Sequence, residues 1–271
     1  MTRDAVPDVL ARIVAAEVEV VAEAKRHVPV AALRDSDLYA EPRRSLVDSL
    51  RAHQPGVIAE CKRRSPSKGV LRDPYDPVAI ARSYAEAGAG GISVLTNEEF
   101  FGGRLADLAA VRAEVEVPLL RKDFVIDEYQ LEEARAHGAD AALLIVSVLE
   151  TSQLCDLAQA AEGIGLDVLV EIHTEAELEP ALACGAQLVG INNRNLHTFV
   201  TDLATSERLA PQVASGRTVV AESGLRDGAD LRRLAAVGID CFLVGEAFMK
   251  SEVPGDALRA MIDDARVDRG H

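Results

Sequence analysis

The sequence predicts an α/β chain folded as a (β/α)8 TIM barrel with an N-terminal helical extension, and three observations carry that expectation. From about residue 57 onward one unit recurs: a short β-branched run, a polar loop, then an Ala/Leu/Glu/Arg-rich segment with helical spacing. Several of these helical segments end in glycine (Gly88, Gly138, Gly185, Gly238), the residue that closes a helix in the left-handed conformation, and a strand follows within a few positions. Eight such units in about 215 residues fit the size of a barrel domain, which typically runs to about 250 residues.

Taken in order, the β-branched runs place strands at 57–62, 91–96, 118–123, 141–146, 167–172, 187–192, 218–222 and 240–245. Helical spacing between them covers 77–87, 105–114, 128–137, 151–162, 175–184 and 228–237. A doubly wound open sheet is the alternative. It would carry a Gly-rich dinucleotide turn after the first strand, whereas this turn reads Arg63-Arg64-Ser65-Pro66-Ser67-Lys68-Gly69 and matches neither GxGxxG nor a P-loop. Residues 1–53 form the extension and 54–271 the barrel. Within the extension, a helix over 9–25 gathers Leu10, Ile13, Val14 and Val21 on one apolar face, to pack on the barrel or to cover its mouth.

Composition narrows the function. Of 271 residues 48% are hydrophobic and 27% charged, and 29 Lys plus Arg against 44 Asp plus Glu leave a net charge of -15. Such a field repels polyanions, which speaks against nucleic acid and anionic membrane as partners. The longest apolar stretch, 141–149, is far short of the roughly 20 residues of a membrane span. The amino end carries Asp4 and Asp8 with no cationic and apolar leader, so cytoplasmic residence is expected, as a monomer or weak homo-oligomer. Cys61, Cys155, Cys184 and Cys241 are scattered without metal-ligand spacing and read as free buried thiols.

Strand side chains alternate faces, and barrel active sites collect at the carboxyl ends of the strands, so parity decides which polar groups meet. On this rule Glu60 and Lys62 face the axis while Cys61 faces the helices. Leu120, Lys122 and Phe124 face inward from the third strand, Leu169 and Glu171 from the fifth, and Asn192, with Arg194 just beyond, from the sixth. Opposite charges at one level suggest a desolvated polar group with shifted pKa values. Glu60, Glu171 and Glu222 are the alternative, a carboxylate set for a divalent metal, but Lys62, Lys122 and Arg194 compete for the same oxygens. His173 and His197 read as loop histidines. After the seventh and eighth strands, Ser223-Gly224 and Gly245-Glu246 fall where this fold commonly binds phosphate through backbone N–H groups.

The motifs together resemble one family, indole-3-glycerol phosphate synthase. Its pattern is met by Ile58-Ala59-Glu60-Cys61-Lys62 with Ser65-Pro66-Ser67-Lys68-Gly69, by Ser93-Val94-Leu95-Thr96 with Phe101-Gly102-Gly103, and by Leu120-Arg121-Lys122-Asp123-Phe124. It continues through Leu169-Val170-Glu171-Ile172-His173, Gly190-Ile191-Asn192-Asn193-Arg194-Asn195-Leu196, Ala221-Glu222-Ser223-Gly224 and Leu243-Val244-Gly245-Glu246. The resemblance implies conversion of 1-(2-carboxyphenylamino)-1-deoxyribulose 5-phosphate to indole-3-glycerol phosphate, CO2 and water, with no cofactor and no metal.

Carried over by motif, the resemblance makes Lys122 the general acid on the substrate carbonyl and Glu171 an acid/base group in dehydration. Glu60 and Lys62 transfer protons or position groups, Arg194 and Ser65 take the substrate carboxylate, and Asn192 takes sugar hydroxyls. Phosphate falls to Ser223, Gly224, Gly245 and the backbone N–H of Glu246, with help from Lys62. Phe124, Leu143, Leu196 and Leu243 flank the anthranilate ring. Nearby cations are expected to lower the Lys122 pKa toward the working range. A rival on the same barrel, a phosphoribosylanthranilate isomerase, needs an inward Asp and Cys, and parity turns Cys61 outward.

Overall fold

Eight parallel strands close on themselves in chain order: β1 (Gly56–Cys61), β2 (Gly91–Leu95), β3 (Leu119–Lys122), β4 (Ala141–Ile145), β5 (Asp167–Ile172), β6 (Leu188–Asn192), β7 (Thr218–Glu222) and β8 (Cys241–Val244). Closure is made by β1, where Ile58 is in register with Gly91 of β2 on one side and Leu243 of β8 on the other. The computed structural model describes residues 8–267; residues 1–7, on which most of the export-signal reading rests, lie outside the described residues. The chain is thus a (β/α)8 barrel, and each strand begins and ends within one or two residues of its predicted bounds.

Four helices precede the barrel: α1 (Asp8–His27), α2 (Val30–Arg34), α3 (Asp37–Ala40) and α4 (Leu46–Ala52). The crossovers follow as α5 (Pro77–Glu86), α6 (Glu98–Phe101), α7 (Leu105–Arg112), α8 (Glu128–Ala136), α9 (Thr151–Gly163), α10 (Leu178–Ala183), α11 (Ala204–Leu209), α12 (Gly228–Ala235), α13 (Glu246–Met249) and α14 (Pro254–Arg266). Local chemistry starts them. The Asp76 carboxylate accepts the N–H groups of Val78 and Ala79 at 3.1 and 3.0 Å with Pro77 in the first turn of α5. Asp127 and Gln130 make a reciprocal capping box on α8. At the other end of that helix Gly138 has φ 83°, a conformation that disfavours any residue with a Cβ.

Alternation divides the core in two. Val57, Ala59 and Cys61 join the helix-side layer, while Ile58, Leu120, Leu143, Leu169, Leu188, Val220 and Leu243 fill the barrel interior. Leu46 and Leu50 of α4 belong to the interior set and are fully buried, so this helix seals the amino-terminal end of the cylinder. The carboxyl-terminal end is left for the polar groups. Across it lies α1, whose Leu10 and Ile13 border the cavity, so both roles left open for the extension occur in one segment.

One expectation fails here. Cys155 of α9 and Cys184, one residue past α10, form a disulfide with Cα atoms 4.6 Å apart, and the free buried thiols are Cys61 and Cys241. A separation of 29 residues gives no hint of it. What joins the two sulfurs is the packing of consecutive helices on the outside of the barrel.

Candidate active site

Every residue proposed from the sequence borders a single cavity at the carboxyl ends of the strands. Its floor is charged. Lys122 ends β3 and extends its ammonium to Glu222 Oε2 at 2.6 Å and Glu171 Oε2 at 3.2 Å. Side-chain exposure is 13% for Lys122, 6% for Glu171 and 1% for Glu222, so little water screens the three charges. Glu60 and Lys62, two residues apart on β1 and just past it, form their own ion pair beside them. Asn192, at the end of β6, bonds Glu171 with its side chain and accepts the Arg194 backbone N–H on Oδ1 at 3.0 Å.

Burial and charge set the protonation pattern. For Lys122 burial acts to lower the pKa, but Glu222, Glu171 and Glu60 overcome it and hold the ammonium above the ordinary lysine value. The expected lowering by neighbouring cations is therefore overturned. Lys62 is paired with Glu60, and Arg194 Nη2 faces Glu246 Oε2 at 3.5 Å, so carboxylates are the charges nearest Lys122. Burial pushes Glu222 up to about 7, with Lys122 opposing and the Glu171 charge adding to the rise. Glu171 goes the other way. Burial raises it, yet Lys122 and His173 together hold it well below the usual carboxylate range.

The rim has two parts. Ser223 and Gly224 after β7 both take positive φ, 65° and 83°, while Gly245 and Glu246 follow the neighbouring strand β8. Close approach of an anion to the backbone is easiest where side chains are small. The Glu246 carboxylate is turned to cations: Lys250 at 2.6 Å, Arg194 at 3.5 Å and Lys68 at 4.0 Å. Phe124, Leu143, Leu196 and Leu243 give the cavity its apolar lining, with Ser65 on the loop after β1.

Sequence reasoning passed over three groups. Glu222 was weighed only as one of three metal-ligating carboxylates, though its place at the end of β7 was visible. His173 is no solvated loop residue: its side chain is 6% exposed and sits between Glu171 and Glu177. Glu17 on α1 is buried and receives hydrogen bonds from Asn97 Nδ2 and Gln130 Nε2. Among the described residues no group of three or more His, Cys, Asp or Glu is arranged to hold a metal ion.

Fold and cavity together define the class: a (β/α)8-barrel enzyme with its polar groups gathered where barrel enzymes carry their chemistry. The family model for indole-3-glycerol phosphate synthase matches residues 10–261, and the chain belongs to that family. An indole-3-glycerol phosphate synthase of Burkholderia vietnamiensis is 48% identical over 258 residues, covering 94% of this chain and 98% of the relative. One from Acidithiobacillus ferrooxidans is 46% identical over 261 residues, covering 95% and 99%. Among solved structures, a thiamine phosphate pyrophosphorylase from Pyrococcus furiosus superposes with a TM-score of 0.60 at 17% identity, over 82% of this chain and 98% of that one. That likeness speaks for the fold alone.

Proposed function

We propose that the chain is a carboxy-lyase of tryptophan biosynthesis, converting 1-(2-carboxyphenylamino)-1-deoxyribulose 5-phosphate to indole-3-glycerol phosphate, CO2 and water. The observation that carries this is one cavity holding a buried ammonium between two carboxylates and lined as well by apolar side chains and by the small residues after β7 and β8. The substrate has matching parts. Its phosphate suits the N–H groups at Ser223, Gly224, Gly245 and Glu246, its aromatic ring the apolar lining, and its carboxylate Arg194 and Ser65.

Closing the indole ring brings an aromatic carbon and a carbonyl carbon together from a flexible chain. Holding both anionic ends orients the reacting atoms before the chemical step. In our reading Lys122 donates a proton to the carbonyl oxygen as the ring carbon attacks. Loss of CO2 then restores the aromatic ring. Glu222, protonated up to about pH 7, stands 2.6 Å from Lys122 and can return the proton to it. In the loss of water the reprotonated Lys122 gives its proton to the departing hydroxyl while Glu171, an anion, takes one from the carbon beside the nitrogen, with Glu60 and Lys62 as further proton-transfer or positioning groups and Asn192 on the sugar hydroxyls. We place the enzyme in the cytoplasm as a monomer or weak homo-oligomer; among the described helices none is long and apolar enough to cross a membrane. Purified protein given the carboxyphenylamino substrate is expected to develop indole absorbance and fluorescence. A preparation that binds the substrate and leaves the spectrum unchanged would refute the activity.

A further inference from the structure

Glu171 has two carboxylate oxygens, and Lys122 occupies one of them. Oε2 faces the ammonium at 3.2 Å, while Oε1 is 3.3 Å from Nε2 of His173. The other ring nitrogen, Nδ1, lies 3.6 Å from Oε2 of Glu177, and that same oxygen accepts the His173 backbone N–H at 2.6 Å. Sequence explains the line. Glu171 and His173 are two apart at the end of β5, so both turn toward the cavity, and the single 3-10 turn Glu175–Glu177 returns a carboxylate over the ring. Side-chain exposure is 6%, 6% and 17% along the series Glu171, His173, Glu177, so the imidazole is sealed between two anions.

We propose that His173, steadied by Glu177, is a positioning residue for the reaction: its imidazolium fixes Oε1 of Glu171 and keeps that carboxylate an anion, leaving Glu222 as the carboxyl that carries a proton beside Lys122. The inference rests on the roles given above to Glu171 and Glu222. Neither ring nitrogen of His173 makes a hydrogen bond in this arrangement, so the ring acts on its neighbours through charge at 3.3 and 3.6 Å. Burial opposes charge on the ring, yet the two carboxylates hold its pKa up at about 9. The groups facing Glu171 are Lys122 from β3, Asn192 from β6, Glu222 from β7 and His173 from its own strand, with Glu60 of β1 reaching Lys122. Those facing His173 are Glu171 and Glu177. A carboxylate loses its proton more readily beside a cation at this range, by about one to three pH units.

The test is kcat against pH for five chains: the natural one, His173→Ala, His173→Gln, Glu171→Gln and the double variant that joins His173→Ala to Glu171→Gln. Glutamine keeps a polar side chain beside Oε1 but carries no charge. It is expected to move the acidic limb of kcat upward by about one to three pH units, with the plateau within about threefold of natural. Alanine loses orientation as well, so the same limb shift comes with a plateau about tenfold lower or more. A histidine that merely fills space would lower stability and leave the limb in place. His173→Ala added to Glu171→Gln is expected to cost little further activity, because the partner is already gone. If the alanine variant fails to fold, His173→Gln and Glu177→Gln give the same readout. In 15N NMR the His173 ring is expected to remain an imidazolium at pH 8 and to turn neutral there in Glu177→Gln. Full activity in Glu171→Gln would overturn the reading of Glu171 and the role of His173 with it. An impaired Glu171→Gln beside unmoved limbs in both His173 variants, or a neutral ring at pH 8, would overturn the His173 inference alone.

Discussion

Two carboxylates reach the barrel axis because the residues facing them have no side chain. A Cβ on Gly190 of β6 would fall 2.2 Å from Glu222 Oε1, and one on Gly245 would fall 2.2 Å from Glu60 Oε2. Glu222 has no room to step aside. It is buried, its other oxygen is held by Lys122, and Leu169 stands 3.2 Å from the same added atom. Gly190→Ala should therefore lower kcat roughly ten- to a hundredfold through misplacement of the Lys122–Glu222 pair, read as turnover at saturating substrate with folding checked by circular dichroism. Unchanged turnover would mean that this pair need not be held so closely. At this scale the sequence was informative where period 2 applies: Glu60, Lys122, Glu171 and Asn192 all reach the cavity from the strands that parity assigned. His173 reads as a loop histidine from sequence because its environment depends on Glu177, four residues on and across a turn, which no strand rule describes.

Among elements, α1 shows what an amphipathic pattern leaves unsaid. Leu10, Ile13 and Val21 are buried as their spacing predicts, but the same stripe includes Glu17, whose carboxyl is enclosed with Asn97 and Gln130. Burial raises Glu17 to about 7 from the usual 4.5, the nearby Asp123 charge adds to the rise, and Arg121 opposes it. Because the folded-state pKa is raised, the docked helix favours the neutral acid. That contribution is fully present below about pH 4.5 and is lost as pH rises through about 7. Glu17→Gln, neutral throughout, should match the natural protein in Tm near pH 4.5 and exceed it above pH 7 by about 2–4 °C, the shift for roughly 1 kcal/mol. Equal Tm values at pH 8 would show that the carboxyl ionises without cost. Apolar spacing located this helix but could not distinguish packing from covering, since burial carries no address. The Cys155–Cys184 disulfide was hidden for the same reason: helix adjacency around a barrel is a property of closure, not of spacing along the chain.

The whole molecule is a cylinder shut at one end and chemically active at the other. Leu46 and Leu50 close the amino-terminal end, aliphatic side chains fill the interior, and charge is confined to the carboxyl-terminal mouth beneath α1. Despite a net charge of -15, this mouth presents Lys62, Lys122 and Arg194, each countered by a carboxylate. On the proposed function, the anionic groups of the substrate take over such partners, most directly at Arg194. Such an exchange is invisible in a linear sequence, which shows the charges but not which are already paired. The architecture itself was legible throughout, because eight strand–helix units repeat one pattern and parallel strands of that number close on themselves. The most direct measurement is the turnover of Lys122→Ala with the carboxyphenylamino substrate, followed by indole fluorescence. Loss of the buried ammonium should lower kcat about a hundredfold or more, the scale of absent general-acid catalysis, and near-natural turnover in a folded variant would contradict proton donation by Lys122.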